Sequence, residues 1–595
     1  MTMQERDQPT TADLMVDRLR EWGVERIFGY SGDGINGFME ALRRGEDAPR
    51  FVQARHEEAA AFMAVGHAKF TGGVGVVTST QGPGAVHLLN GLYDAKLDGV
   101  PVVAIVGQQN RTVLGSGYMQ EIDLRVLFAD VAAQFCQLVS TPEQLPMVLD
   151  RAFRSVIATR SPTVVIVPHD VQTAPPGELP HEHGTVPTAV AAPQPVVLPR
   201  EDDLERATSL LAEGERVAVF VGQGARHARA EVETIARRLG AGITTSLLGK
   251  PYVDETLPFS TGTMGHLGTT ASAELLDGCD TLLIVGSDDP WTEFYPAPGQ
   301  ARAVQIDLDA RAIGNRYPIE VGLVGDAAAT LSALLERLPE RVGWRGRVAE
   351  SVERWRGIAQ RRAAVAARPV NPERVLRELD AQLPEDARIA VDVGSVVYWY
   401  ARQLHVPAGA AAHLSGTLAS MGCSVPYGIA AKLADPSKPV VVLAGDGAMQ
   451  MLGLAELITV ARLATEWADP RFVVCVLSNR DLAEVSWEQR EMEEQPRFED
   501  SQALPDVPFA AIAELLGFRG IRVEDPEALA GAWREAFACD RPVLIEVVTD
   551  RDVPLLPPFP AGEEKSASMR TALEQEGAAG AHALALLEEY ASHER

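Results

Sequence analysis

Positive charge is what this chain is short of. Against 82 aspartates and glutamates stand 54 lysines and arginines, a formal net charge of −28. Such a surface is repelled by phosphate backbones and by anionic lipid headgroups. Nucleic acid is therefore excluded as a partner, and a membrane surface is not expected. Cysteine is also scarce. The five residues, Cys136, Cys279, Cys423, Cys475 and Cys539, are scattered, and none forms a CxxC pair. That excludes a disulfide framework and points to a reducing compartment. Cys423 and Cys475 lie among apolar or small residues and read as core thiols. No apolar run approaches the roughly 18 residues that span a bilayer. Met1 to Ala12 is polar and lacks the apolar stretch of a leader. The expected location is the cytoplasm.

What is present is a long alternation of helix-spaced and strand-like segments. At 595 residues the chain exceeds what one core can hold, and about three or four domains are expected. Residues 1–180 alternate amphipathic helices with apolar runs such as Val74 to Ser79, Val102 to Val106 and Thr163 to Val167. Residues 181–199 are rich in proline and read as a linker. A second block, 200–343, has runs at Arg216 to Val221, Thr281 to Val285 and Ala303 to Ile306. An arginine-rich bridge, 344–368, leads to a third block, 369–555, and a tail, 556–595. The pattern predicts an α/β protein of three domains, each a mostly parallel sheet flanked by helices.

Two segments carry the strongest chemistry. Val440 to Gln450 and Val476 to Leu482 both begin as β-branched runs and break at polar residues, as buried parallel strands do where they end at a ligand. Gly445 and Gly447 let backbone approach an anion. Asp446 and Asn479 then offer two hard oxygen ligands from adjacent strand ends, which suits Mg²⁺ sharing its shell with phosphate. The pair reads as a magnesium-diphosphate anchor. Upstream, Arg55 to Phe62 heads a small-residue helix, where Glu57 either compensates the helix dipole or does chemistry. The turn Gln81-Gly82-Pro83-Gly84 opens another helix and can hold an anion or a flat ring.

Taken together, these residues resemble the thiamine-diphosphate family of 2-keto-acid enzymes, which includes pyruvate oxidase, acetolactate synthase and pyruvate decarboxylase. The likeness runs from about residue 10 to 555. It implies the thiamine-diphosphate-binding fold in pyrimidine, middle, diphosphate order, so that 1–180 binds the pyrimidine and 369–555 the diphosphate. Glu57 matches the glutamate that bonds the pyrimidine ring and activates the coenzyme. Asp446 and Asn479 match the metal ligands, with the backbone oxygen of Asp481 completing them. Ser478 stands where the family has a further asparagine. Met421 matches the apolar wedge that bends thiamine. Gly82, Pro83, Gly394, Ser395, Ala419, Ser420, Gly445, Gly447, Ala448 and Leu482 fall in the matching cofactor stretches. The family pairs the first block of one subunit with the third block of another, which implies at least a homodimer and commonly a homotetramer.

Within the family the resemblance is nearest to pyruvate oxidase and the quinone-linked pyruvate enzymes. Gly115 to Glu121 and Cys136 to Gln144 are similar to substrate-side segments there. Gly222, Gly262, Thr263, Met264, Gly265, Gly286, Ser287 and Asp307 match flavin-contacting stretches, making 200–343 a central FAD-binding-like domain. The resemblance implies that a 2-keto acid, pyruvate above all, is decarboxylated and that two electrons pass to FAD and on to oxygen or a quinone. Gln120 matches a substrate-contacting glutamine and Glu488 an active-site acid. The alternative is a non-oxidative decarboxylase or a carboligase like acetolactate synthase, with FAD structural or absent. Three departures stand out. Met119 and Glu484 replace aromatic residues, Glu484 making the pocket more polar and more anionic. The tail lacks the basic polar face of a membrane-surface helix and is expected to dock on its own protein.

Overall fold

In the computed structural model the longest valine-rich runs form buried strands. Val102–Gln108 and Phe472–Ser478 are buried at every position, which requires a sheet covered on both faces. The structure describes residues 8–594; the first seven residues of the leader reading lie outside it.

The first sheet holds β1 (Arg26–Gly29), β2 (Arg50–Gln53), β3 (Gly75–Ser79), β4 (Val102–Gln108), β5 (Cys136–Leu138) and β6 (Thr163–Pro168), in the order β2-β1-β3-β4-β6-β5. The middle sheet holds β7 (Val217–Val221), β8 (Gly242–Thr245), β9 (Ser260–Thr263), β10 (Thr281–Val285), β11 (Arg302–Asp307) and β12 (Val321–Val324), ordered β12-β11-β10-β7-β8-β9. The third holds β13 (Arg388–Val391), β14 (Ala411–His413), β15 (Val440–Gly445), β16 (Phe472–Ser478), β17 (Arg519–Val523) and β18 (Val543–Val548), ordered β14-β13-β15-β16-β18-β17. All three sheets are parallel. Numbered within each sheet, the first and third share one strand order, 2-1-3-4-6-5. The middle sheet reads 3-2-1-4-5-6, the doubly wound order, so its first and fourth strands, β7 and β10, lie side by side.

The chain divides into two compact units. One comprises the residues up to Gln194 with His413–Val440 and Ala448–Pro470; the other comprises Pro195–Ala412, Val441–Gly447 and the chain from Arg471 onward. Residues 175–200 carry neither helix nor strand. The arginine-rich bridge is a 19-residue helix, Arg345–Ala363.

The helical run Asp446–Glu466 is long and apolar enough, by length and composition alone, to cross a membrane. Half of that stretch is buried inside the protein, as in a core helix. Glu488 lies on helix Ala483–Met492, whose first turn carries Glu484. The tail is two helices, Ala561–Glu576 and Ala581–Glu594, with Ala583, Leu586, Leu587 and Tyr590 all buried. Glu594 reaches Arg362 at 2.9 Å, and Arg490 reaches Glu576 at 2.8 Å.

Helix Glu57–Thr71 is built almost wholly of small and apolar residues and is buried along most of its length. His67 in this helix sits 5.7 Å from the Phe28 ring, and its Nδ1 has no hydrogen-bond partner among the described residues. Burial, then the nearby Arg26 charge, pulls the imidazole down to about 4. The unfolded chain takes up this proton near its ordinary value, and the folded one does so only near 4. The neutral form's stability is therefore present at high pH and lost as pH falls through this window. His67→Leu should flatten the denaturant-midpoint profile between pH 8 and pH 5, removing about 2 kcal/mol of acid sensitivity; an unchanged profile would show that His67 is not what titrates.

Candidate active site

Glu57 is the first residue of its helix, capped by His56, whose Nδ1 accepts the Glu58 amide at 3.2 Å. The carboxyl is largely buried, with one oxygen 3.0 Å from His87 Nδ1. His87 also stacks on His56 with ring centroids 4.4 Å apart. Sequence reading missed His87, because thirty residues separate it from Glu57 and no motif joins them. A Cβ on Gly84 would lie 3.2 Å from Glu57 Oε1, so the glycine is what lets the carboxyl sit against this turn. Gly82 has φ 61° and caps the short helix Pro83–His87; a Cβ there would come 2.8 Å from Gln120 Cβ. Gln120 is itself left-handed, at φ 63°, and its Oε1 accepts Gln81 Nε2 at 3.0 Å. The structure thus brings Glu57, Gly82 and Gln120 around one turn, with Pro83 exposed beside them. Ser420 Oγ accepts Asn90 Nδ2 at 2.8 Å, Ala419 is left-handed at φ 56°, and Met421 is half-buried.

The second cluster forms where β15 and β16 end. Asp446 is 2 % exposed. Its oxygens accept the Arg480 amide at 2.6 Å and the Gly447 amide at 3.0 Å. Burial, with Asp481 adding repulsion, pushes its carboxyl up to about 6. No cationic side chain pairs with it among the described residues. Asn479 Oδ1 accepts the Asp481 amide at 2.9 Å, and Arg480 between them is left-handed at φ 58°. The Asp481 side chain is taken by Ser486 at 2.7 Å and by Arg497, whose Nε donates at 2.8 Å, which leaves its backbone oxygen for a metal. Ser478 Oγ is buried without a partner among the described residues. A Cβ on Gly445 or Gly394 would meet nothing within 4 Å, so both backbones border open space, whereas one on Gly447 would press within 3.0 Å of Leu482. Gly394 has φ 119° and precedes Ser395, which opens helix Ser395–Gln403. Ala448 is buried in the helical run that Asp446 begins. A buried carboxylate lacking a counter-ion, hard oxygen donors and open glycine backbone fit Mg²⁺ and a diphosphate. Asp446, Asn479 and the Asp481 carbonyl would hold the ion.

Helix Ala483–Met492 follows this loop directly. Burial, then the neighbouring Glu488, pushes the Glu484 carboxyl up to about 7. The expected fixed anion is therefore a group that carries a proton about half the time at neutral pH. Glu488 is exposed. Glu491, one turn on, accepts from His266 Nε2 at 2.8 Å, and His266 Nδ1 lies 2.8 Å from Tyr398 Oη.

Gly222 and Gly286-Ser287 follow β7 and β10, and Asp307 ends β11. They therefore lie at the carboxyl ends of three neighbouring strands. Gly222 and Gly224 are small for a protein reason, since a Cβ on either would strike the Gly286 segment at 2.2 to 2.6 Å. Gly262, Gly265 and Gly286 have positive φ. Thr263 and Met264 are buried, and Thr263 Oγ1 lacks a partner among the described residues. Asp307 accepts the Asp309 amide at 2.9 Å, and its carboxyl is raised by burial.

Three family models match the chain in the same order as the sheets. They are described as the thiamine pyrophosphate enzyme N-terminal TPP binding domain at residues 9–127, the central domain at 204–334 and the C-terminal TPP binding domain at 392–547. The chain belongs to the thiamine pyrophosphate enzyme family. This thiamine pyrophosphate enzyme is 34 % identical over 561 residues to the putative thiamine pyrophosphate-containing protein YdaP of Bacillus subtilis, covering 94 % of this chain and 95 % of that one. It is 31 % identical over 546 residues to a pyruvate oxidase of Lactiplantibacillus plantarum, covering 90 % and 88 %. It is 30 % identical over 568 residues to the acetolactate synthase isozyme 2 large subunit of Escherichia coli, covering 93 % and 98 %. Thiamine diphosphate (the same compound as thiamine pyrophosphate) is its coenzyme.

The burial of Asp446 yields a test. Its raised value means that the cation-free fold favours the protonated form and loses stability as pH rises from about 4 through about 6. Asp446→Asn should melt within a few degrees of the unmodified protein at pH 7.5 without metal. It should gain little from Mg²⁺ and thiamine diphosphate, which should stabilise the unmodified protein strongly. Equal thermal shifts in the two proteins would show that the anchor is misassigned.

Proposed function

We propose that this thiamine pyrophosphate enzyme decarboxylates a 2-keto acid, pyruvate first among them, and passes two electrons to FAD and then to oxygen or a quinone. One observation carries the oxidative reading. The candidate flavin turns, Gly222 and Gly286-Ser287, leave β7 and β10 at the point where the middle sheet's strand order reverses. A doubly wound sheet takes its dinucleotide there, outside the carboxyl ends of its strands. The likeness to a pyruvate oxidase over nine-tenths of the chain supports the same reading.

Thiamine diphosphate, when bound, supplies the electron sink that lets a 2-keto acid lose carbon dioxide. The chain's own residues supply position and protons. Asp446, Asn479 and the Asp481 carbonyl hold Mg²⁺ against the diphosphate. Met421, half-buried in its loop, would offer an apolar support to the coenzyme. Glu57, fixed at a helix N-terminus by buried neighbours, holds a hydrogen bond to the pyrimidine ring. Gln120 orients the keto acid, and Glu488 exchanges protons with it. Overall, a 2-keto acid and water yield a carboxylic acid, carbon dioxide, two protons and the two electrons that the acceptor removes. The assembly is at least a homodimer, with a homotetramer expected, and acts in the cytoplasm.

The acetolactate synthases match this chain at near-equal identity, so the decisive test is redox. Under anaerobic conditions pyruvate should bleach the flavin absorbance of the loaded protein. An unbleached flavin with acetolactate formed would replace this reading with a carboligase. Glu57→Gln should retain coenzyme affinity and lose at least about 100-fold in turnover; comparable turnover would remove Glu57 from its role.

A further inference from the structure

The segment from Leu414 to Met421 follows β14, has no helix or strand of its own, and carries Ala419 in the left-handed region at φ 56°. A non-glycine residue keeps that conformation only where its surroundings impose it. Here they do so through three side chains contributed from more than 300 residues away. Lys69 Nζ donates to the Leu414 carbonyl at 2.7 Å and to Asp98 at 2.6 Å. Asp98 in turn accepts the Gly416 amide at 3.0 Å and the Thr417 amide at 2.8 Å. Asn90 Nδ2 bonds both Ser420 Oγ, at 2.8 Å, and Glu58, at 2.6 Å. Within the loop, the Ser420 amide closes on Ser415 Oγ at 3.1 Å.

Lys69 and Asp98 are both shut off from solvent at their charged ends. Burial alone would neutralise them. For Lys69 the Asp94 carboxylate, 4.0 Å away, and then Asp98 outweigh it, and for Asp98 the Lys69 charge and the amide donors do, so Lys69 stays above and Asp98 below its ordinary value. Charge-assisted bonds in so enclosed a place are short and directional. Lys69 stands in the last turn of the helix that begins with Glu57, and Asn90 and Asp98 stand at the two ends of helix Leu89–Leu97. The helix that presents Glu57 therefore also fixes the loop that presents Met421.

We propose that Lys69, Asp98 and Asn90 form a positioning clamp that sets the Ser415–Met421 loop, and with it the Met421 wedge, before thiamine diphosphate arrives. None of the three touches the coenzyme in this account. They act by removing the ordering that the loop would otherwise undergo on binding. The inference rests on the reading of Met421 as the wedge.

The test compares the apo protein with Asn90→Ala and with the combined change Lys69→Met, Asp94→Asn and Asp98→Asn, which also removes the buried Asp94 carboxylate that Lys69 faces at 4.0 Å. Three quantities are read: the affinity for thiamine diphosphate with Mg²⁺ by titration calorimetry, the rate of limited proteolysis within residues 414–421 without cofactor, and kcat against KM for pyruvate at saturating coenzyme. Asn90→Ala should melt near the unmodified protein, bind the coenzyme about tenfold more weakly, be cut faster in the loop, and lose kcat with little change in KM. Coenzyme affinity and loop cleavage at unmodified rates in both variants would overturn the clamp. If the unmodified protein itself binds no coenzyme, the Met421 reading falls, while cleavage in the cofactor-free protein still decides whether the three side chains hold the loop.

Discussion

A carboxylate buried at the end of an all-apolar strand is costly, and the third sheet is arranged around that cost. Asp446 is carried into the interior by five buried residues, Val440 to Ala444. The protein gives it two backbone amides and no cation among the described residues. Two amides fall short of the solvation lost, which is why the group holds its proton up to about pH 6. A divalent ion at the same place reverses the balance, because it prefers the charged form and brings further oxygens with it. The loop of Asn479 and Asp481 would suit such an ion. Arg480 adopts the strained left-handed conformation that turns its amide onto Asp446, and Arg497 removes the Asp481 side chain from the contest.

The repeated strand order extends the argument to the whole chain. The first and third sheets share 2-1-3-4-6-5, so one architecture is used twice, with different chemistry at its strand ends. In the first, the turns after β2 and β3 present a glutamate, a histidine and glycines. In the third, the turns after β13, β15 and β16 present glycine backbone and hard oxygens. The first set suits a neutral, hydrogen-bonding ring, and the second a charged phosphate group. The middle sheet differs in order, and the difference brings β7 beside β10, where two loops meet over glycine with no room for a Cβ.

Much of this was legible in the sequence, for physical reasons. Parallel strands buried on both faces must be written in valine and isoleucine, so Val440 to Leu443 and Phe472 to Leu477 announced themselves, as did their polar ends. Asp446 was visible because strand ends are local features, whereas Glu57 stood open on its helix start alone and was singled out by the family resemblance. The illegible part is non-local. His87 against Glu57, Gln81 against Gln120 and Arg497 against Asp481 depend on how loops fold back, and no periodicity encodes that. The Lys69 and Asp98 pair is less legible still: in sequence it is two ordinary charges near helix ends, and only burial reveals their purpose. The run from Asp446 is half buried, as a core helix is, although by length and composition alone it passes for a membrane span.

Glu484 shows how a substitution can change meaning once its surroundings are known. By type it adds a negative charge beside the metal loop, where a keto-acid anion would be repelled. By environment it is a carboxyl enclosed by protein, with Glu488 one turn away and Tyr398 within electrostatic reach. Burial first, and then the charge of Glu488, disfavours its ionised form, so Glu484 carries a proton about half the time near neutrality. A protonated carboxyl donates one hydrogen bond and accepts another, which an aromatic ring at the same place cannot do. The exchange therefore replaces an apolar wall with a polar one whose charge follows pH. Helix Ala483–Met492, which carries Glu484, is held by His266 through Glu491 and by Glu576 through Arg490.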